Sequence, residues 1–254
     1  AINAGLDVIF QTEYKHHQLF IPPFLDGSID SNRINDAVSR VLKAKFELGL
    51  FDNPYVNINN LQKNVGRPEW IALGEKTQRR ALTLLKNDQN TCPLAPGKYK
   101  IFVKGVKPEV AEKYGLVVDS PEEADFAIIR TITPWVPVDT KNPFAKSFHH
   151  GDLDFKGAEK EEILNICKKV PTIFNIYLDR PAVFPEINAA AKVVIADFGA
   201  NDAALMDVIF GKAKPEGKLP FELPSSMDAV RNQKEDLPYD SKDPLYKFGF
   251  GLRY

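Results

Sequence analysis

The sequence has 254 residues, a formal net charge of -1 and two cysteines. Such a chain can form one large or two modest domains, and its near-neutral charge gives no electrostatic basis for binding nucleic acid or an acidic membrane surface. Two cysteines, Cys92 and Cys167, cannot make a disulfide framework, so we expect two thiols or, less favoured, a single bridge.

The first fifty residues predict one strand and one helix. Leu6 to Phe10 is a short apolar run typical of a strand. A lone strand leaves its backbone groups unpaired, so we expect its neighbours in a segment that lies upstream in the same gene product or is supplied by another chain. The helix starts at Asp30 or Ser31, either of which can cap it, and ends before Gly49.

A polar stretch separates this region from the rest of the chain. Residues 51 to 67 are irregular and asparagine-rich, which is typical of a linker crossing a surface near a domain boundary. Pro68 then starts a second helix, whose apolar positions predict that it continues through Leu85 and ends in a turn at Lys86 to Asp88.

Beyond this helix, segments typical of strands and of helices alternate. The predicted strands are 99–103, 126–129, 172–177 and 193–196, and the predicted helices are 108–114, 156–169, a short one after Pro181, and 203–210. This alternation predicts an α/β fold with a mostly parallel sheet between helices. The run Val193 to Ala196 indicates a buried central strand, and the turn Asp197 to Asp202 follows it at the carboxyl edge, where such sheets bind ligands.

Several common sites are not supported by the sequence. It has no glycine-rich phosphate-binding motif, and Asp197-Phe198-Gly199 lacks the other motifs of a kinase. The histidines form two adjacent pairs, His16-His17 and His149-His150, whose side chains point to opposite faces of an extended chain. We therefore expect no metal site, no cofactor and, since no apolar run reaches about 18 residues, no membrane span.

The stretch from Thr131 to Phe155 is unusually long for a loop without periodic structure, and such loops often have a function. It follows a predicted strand on the same sheet edge. Aromatic side chains and polar groups both occur in it, which suits a sugar with its apolar face and its rim of hydroxyls: Trp135, Phe144, Phe148, Asp139, His149, His150, Asp152 and Asp154. The alternative is an ordered surface loop whose aromatic side chains fold back on the sheet.

Five segments, taken in order, resemble glycoside hydrolase family 3, the β-glucosidase and β-xylosidase family. AINAGLDVIF and RINDAVSRVLKAKFELGLFDNP resemble the end of its catalytic barrel, and ALTLLKND with the later Cys92-Pro93-Leu94 resembles the entry to its second domain. FGKAKPEGKLPFELP and PLYKFGFGL resemble two signatures of that second domain. The resemblance covers nearly the whole chain.

This resemblance implies a domain plan and an activity. Residues 1–52 would end a (β/α)8-type barrel, 53–92 would be a linker and connecting helix, and 93–254 would form an α/β sandwich with a carboxyl-terminal tail. The activity implied is that of a retaining exo-β-glycosidase, and β-glucosidase is the favoured assignment. Its substrates would be small β-glycosides, and it would need no cofactor. Such enzymes use two carboxyl groups roughly 5 Å apart. The aspartate nucleophile would lie upstream of Ala1, in a barrel segment of the same gene product or of another chain, so this chain alone is expected to be inactive.

The resemblance also places site residues. Gly151-Asp152 can match the Gly-Asp pair that follows the acid/base glutamate in related enzymes, which puts Phe148 or His150 at the glutamate's position. His150 is therefore our acid/base candidate, because an imidazole titrates near neutrality. Trp135, His149, His150 and Asp152 are the expected sugar contacts. Members of this family are often exported, which implies a periplasmic or secreted protein. The alternative function is a stand-alone carbohydrate-binding or structural module.

Overall fold

The computed structural model describes residues 1–10, 17–139, 141 and 145–254. His16 and Phe144, two of the side chains considered above, lie outside these residues. The described chain forms two compact units, Ala1–Arg67 and Pro68–Tyr254. The domain limits at residues 52 and 92 stay a prediction.

The first unit is helical over its described residues. Its helices are His17–Phe20 (α1), Pro22–Leu25 (α2), Ser31–Glu47 (α3) and Leu61–Asn64 (α4), with single 3-10 turns at Ile2–Ala4 and Ile58–Asn60. The predicted helix α3 is confirmed, and the Asp30 carboxylate caps it by accepting a hydrogen bond of 2.8 Å from the Asn32 amide.

The strand predicted at Leu6 to Phe10 is wrong, since these residues have no strand pairing. A strand needs a neighbour to satisfy its amides and carbonyls, and the described residues of this unit supply none. The segment is tied to α3 instead, because the Asp7 carboxylate accepts hydrogen bonds from Arg33 (2.7 Å) and Arg40 (2.6 Å). The hydrogen bonds from Arg40 and Arg33 hold the pKa of Asp7 well below its usual range.

The second unit is built on one six-stranded sheet. Its strands are Thr83–Asn87 (β1), Lys100–Lys104 (β2), Leu116–Val118 (β3), Phe126–Ile132 (β4), Thr172–Tyr177 (β7) and Val193–Asp197 (β8). The order is β1-β8-β7-β4-β2-β3, with β1 antiparallel to β8 and the other pairings parallel. This sheet confirms the predicted α/β class. A separate ribbon pairs Val136–Pro137 (β5) with His149–His150 (β6).

Helices cover both faces of the sheet. They are Pro68–Ala81 (α5), Pro108–Ala111 (α6), Gly157–Lys169 (α7), Pro185–Ala190 (α8), Asp202–Ile209 (α9) and Met227–Arg231 (α10). Alternate residues of β8 point to opposite faces, so Ile195 packs in the core under α6 and α9, while Val194 packs in the core under α7 and α8. All five residues of β8 are buried, as predicted for a central strand.

The helix predicted to run from Pro68 through Leu85 is too long, because α5 ends at Ala81 and β1 begins at Thr83. Leu82, Leu84 and Leu85 are fully buried, so packing of these leucines against the sheet overrides the helical spacing that the sequence shows. The sequence also gave no indication of β3, which has only three residues.

The carboxyl-terminal tail is ordered against the sheet, as expected from its aromatic content. The Leu252 amide donates to the Leu84 carbonyl of β1 at 2.7 Å, and the Tyr246 hydroxyl donates to Asn188 Oδ1 in α8 at 2.6 Å. Burial raises the pKa of Tyr246 to about 12. Within the described part of the chain, no helix is both long enough and apolar enough to span a membrane.

Candidate functional site

The carboxyl edge of the sheet gathers the candidate residues. Strands β4, β7 and β8 are neighbours and parallel, so the segments that follow them leave the sheet on one side. Trp135 follows β4, Asp179 follows β7, and the turn from Asp197 to Asp202 follows β8. The prediction that the Trp135 segment and the Asp197 turn share one edge is confirmed.

The segment from Thr131 to Phe155 is less irregular than its sequence indicates. Its first two residues complete β4, and the short strands β5 and β6 pair in antiparallel register, Val136 with His150 and Pro137 with His149. Gly151 directly follows β6 and has a φ of 88°, a conformation that glycine adopts without steric cost. This pairing brings two residues that are 14 positions apart, Trp135 and His149, next to each other.

His149 is held between an aromatic ring and a carboxylate. Its ring stacks on Trp135 with the centroids 3.9 Å apart and the planes inclined by 19°. Its Nδ1 hydrogen-bonds the carboxylate of Asp179, whose side chain is 17% exposed. The His149 side chain is 26% exposed and that of Trp135 38% exposed, so this pair forms a partly open surface with an apolar and a polar component.

Arg180 ties together the two ends of the ribbon. One guanidinium nitrogen, Nη1, donates to the Gly151 carbonyl at 3.1 Å, and Nη2 donates to the Pro134 carbonyl. These carbonyls flank the ribbon on its two strands, just before Trp135 and just after His150. Asp179 and Arg180, which come two and three positions after the end of β7, therefore hold the side chain of His149 and the backbone around it.

The other two predicted contacts lie apart from this pair. His150 is exposed on the opposite side of β6, and no side-chain hydrogen bond to it comes from the described residues. Asp152 pairs with Lys156 and, at 3.4 Å, with Arg231. The hydrogen bond and charge of Lys156 lower the pKa of Asp152, so this carboxylate is ionised and already engaged. The sugar-binding roles of all four residues stay predictions.

The turn after β8 is internally satisfied. Asp197 is 0% exposed and accepts hydrogen bonds from the amides of Gly199 (2.9 Å) and Ala200 (3.2 Å). Arg130 of β4 lies 3.5 Å from the same carboxylate and pairs with Asp202 at 2.5 Å. Arg130 thus links β4 to α9, and its positive charge is paired with the carboxylates of Asp197 and Asp202 inside the protein. We interpret this group as structural.

Sequence reasoning missed three residues that build this edge: Asp179, Arg180 and Arg130. A signal for the first two exists. Charged residues directly after a buried parallel strand, as in Tyr177-Leu178-Asp179-Arg180, lie at the edge where function is expected. Arg130 carries a comparable signal, since an arginine inside an otherwise apolar strand needs a charged partner.

Neither a metal nor a reactive thiol is indicated by the geometry. Over the described residues, no three His, Cys, Asp or Glu side chains are grouped to hold an ion. Both cysteines are free, as favoured from the sequence. Burial raises the pKa of Cys92 to about 12, so its thiol stays protonated and unreactive at neutral pH.

Comparison with protein families and curated proteins identifies clear relatives. The model of the Glycosyl hydrolase family 3 C-terminal domain matches residues 111–254. Beta-glucosidase C of Emericella nidulans is 44% identical over 256 residues, which cover 100% of this chain and 41% of the relative. The Periplasmic beta-glucosidase/beta-xylosidase of Dickeya chrysanthemi is 40% identical over 255 residues, covering 99% and 38%. The chain thus spans about two fifths of the length of these relatives.

Solved structures show the same fold. A beta-glucosidase from Listeria innocua in complex with isofagomine superposes with a TM-score of 0.69 at 18% identity, covering 100% of this chain and 43% of that one. A b-glucosidase from Erythrobacter marinus gives a TM-score of 0.70 at 19% identity, with 99% and 44% covered. At this identity the likeness establishes the fold alone.

Proposed function

Because the chain belongs to glycoside hydrolase family 3, we propose that it is the carboxyl-terminal part of a retaining exo-β-glycosidase, in the first place a β-glucosidase. In this proposal the carboxyl edge of its sheet supplies one wall of the sugar pocket. The names of the relatives, which are beta-glucosidases and a beta-glucosidase/beta-xylosidase, support the reaction and the substrate class.

The observation that carries the proposal is the group formed by Trp135, His149 and Asp179. An indole face beside an imidazole offers a pyranose ring an apolar surface together with a hydrogen-bonding atom at its rim. A protein pocket for a small polar ligand typically combines these two elements. His150 and Asp152 are the further contacts that the proposal assigns to the sugar.

The reaction needs an attacking carboxylate about 5 Å from the proton donor. We assign this nucleophile to a barrel segment that is not part of the present sequence, so the chain alone is expected to bind sugar weakly and to leave glycosides intact. Export to the periplasm or out of the cell belongs to the same proposal, supported by the word periplasmic in the name of the Dickeya relative.

An activity assay tests the proposal. The chain alone and the full-length gene product that contains it are incubated with 4-nitrophenyl β-glucoside and β-xyloside. We expect release of nitrophenol from the longer protein only. If the longer protein leaves both substrates intact and still binds glucose, the alternative of a carbohydrate-binding module replaces this proposal; with neither activity nor binding, a structural module does.

Trp135 provides a sharper test, since Trp70 is a matched control in the same unit of the structure. Replacing Trp135 with alanine removes about 1.5–3 kcal/mol of apolar contact, which is roughly a 10- to 100-fold loss in kcat/KM. Trp70, half-exposed on α5, is expected to change kcat/KM less than about twofold when replaced with alanine. Equal losses in the two variants would remove Trp135 from the pocket.

A further inference from the structure

His149 has the geometry of a proton-transfer group. The Asp179 oxygen serves as hydrogen-bond acceptor when Nδ1 of His149 carries the hydrogen, and we adopt this tautomer. The stacked ring of Trp135 fixes the plane of the imidazole, and Asp179 fixes its rotation in that plane. No described residue hydrogen-bonds Nε2, and 26% of the His149 side chain is exposed to solvent.

A carboxylate behind an imidazole has a chemical consequence. It selects the tautomer that presents Nε2 and stabilises the imidazolium formed when Nε2 takes up a proton. A histidine held in this way can donate a proton and take one back in successive steps. His150 has no such partner among the described residues and faces the other side of β6.

The carboxyl groups of this segment are occupied elsewhere. Residues 133 to 155 contain no glutamate and three aspartates. Asp139 accepts from the Lys141 amide at 2.8 Å, Asp152 pairs with Lys156 and Arg231, and Asp154 lies 3.1 Å from Lys156. Each of these carboxyl groups already contacts an amide donor or a cation of the protein. His149 remains as the group positioned for the task.

We propose that His149 is the acid/base of the glycosidase and that Asp179 is its positioning residue. This inference rests on the proposed function. As the bond from C1 to the glycosidic oxygen breaks, the proton on Nε2 passes to that oxygen, which keeps the electron pair, and the nucleophilic carboxylate bonds to C1. Nε2 then takes a proton from water, the water oxygen bonds to C1, and the carboxylate leaves as the free anion.

The test uses the full-length gene product and two substrates that differ in the leaving group. Dinitrophenolate departs without protonation, whereas phenolate needs a proton donor. We expect His149→Gln to lower kcat/KM by about 100-fold or more for phenyl β-glucoside and by less than about tenfold for the 2,4-dinitrophenyl glucoside. Azide, a nucleophile that needs no base, should restore turnover of the second substrate and yield β-glucosyl azide.

Further variants test whether Asp179 orients the imidazole of His149 or only packs against it. Asp179→Asn should reproduce the leaving-group pattern with a smaller loss and shift the pH profile of kcat/KM, and Asp179→Glu should recover part of the rate. His150→Ala tests the competing candidate, and we expect it to lower kcat/KM by the same factor on both substrates. Glu161→Gln, at an exposed position of α7, is the control, with losses of less than about twofold on both. Should His149→Gln fail to fold, the pattern of Asp179→Asn decides.

The outcomes are distinct from those for the function itself. A wild-type protein without activity on glycosides removes the proposed function. An active wild type whose His149 variant loses the same factor on both substrates, without azide rescue, overturns only the role of His149. The leaving-group pattern appearing in His150→Ala instead would transfer the role to His150.

Discussion

Asp207 shows how a single acidic residue is kept inside the helical layer of the second unit. It lies in α9, is buried, and accepts hydrogen bonds of 2.6 Å from both the Tyr114 hydroxyl and Arg79 of α5. Burial alone would raise the pKa of Asp207, but the hydrogen bonds from Tyr114 and Arg79 outweigh it and hold this pKa below its usual range. The ionised form thus stabilises the fold.

Replacing Asp207 with asparagine should lower the free energy of unfolding by about 2 kcal/mol at pH 7, since Arg79 and Tyr114 lose their charged acceptor. The folded pKa lies below the unfolded value of about 3.9, so the contribution is complete above that pH and is lost as the pH falls through the folded pKa. Urea unfolding should give a constant difference from wild type between about pH 7 and 5, and a shrinking one below about pH 4.

The neighbouring ion pair of Arg80 and Glu216 is the control for this prediction. Its atoms are 2.7 Å apart but both side chains are exposed to solvent. Solvent screening makes such a pair contribute little, so Glu216→Gln should leave stability nearly unchanged. If Asp207→Asn and Glu216→Gln lowered the free energy of unfolding equally, burial would not explain the contribution of Asp207.

At the scale of elements, the ribbon of β5 and β6 depends on the conformation of Gly151. A Cβ atom there would lie 2.8 Å from Val136 Cγ2, in addition to the strain of a positive φ. Gly151→Ala should therefore displace β6 from β5 and separate His149 from Trp135. We expect a loss in kcat/KM of the full-length protein of about tenfold or more, measured on an aryl β-glucoside.

Gly157, the first residue of α7, provides a control that distinguishes backbone strain from displacement of the ribbon. Its φ is 54°, but a Cβ atom would meet nothing within 4 Å. Gly157→Ala should cost about 1–2 kcal/mol of stability through its backbone conformation while leaving kcat/KM close to wild type. If Gly151→Ala kept full activity, the ribbon would have no part in substrate turnover.

The elements show what sequence patterns can and cannot predict. The strand at Val193 and the helix from Ser31 were predicted because apolar spacing and caps are local properties. The segment with Trp135 was predicted to lack regular structure, and the ribbon of β5 and β6 within it was missed. The boundary between α5 and β1 was missed, since only the partner strand β8 decides that Leu84 is extended. Asp179 was missed for the same reason, because its role depends on a histidine 30 positions away.

For the whole second unit, the tail packs tightly at Gly251, against the segment that contains Gly217. A Cβ atom there would lie 2.4 Å from the Gly217 carbonyl, a backbone atom that cannot move aside. Gly251→Ala should destabilise the unit by about 1–3 kcal/mol and make the tail accessible to proteases. Thermal unfolding and limited proteolysis measure the two effects.

Gly249, two residues earlier, is the matched control for the tail. It has a φ of 75° but open space around its Cα atom. Gly249→Ala should lower stability through backbone strain and leave the protease resistance of the tail intact. Rapid cleavage in both variants would mean that the tail is held at other points.

The contact of the tail with β1 has a consequence for behaviour in concentrated solution. β1 is one edge of the sheet, and its outer side is bridged by the pairing of Leu84 with Leu252. The opposite edge, β3, has only three residues. Exposed edges invite strand addition by other chains, which leads to aggregation and domain swapping. The tail bridges the β1 edge and the β3 edge is short, so strands of other chains have little edge to pair with. We therefore expect the protein to resist aggregation at high concentration.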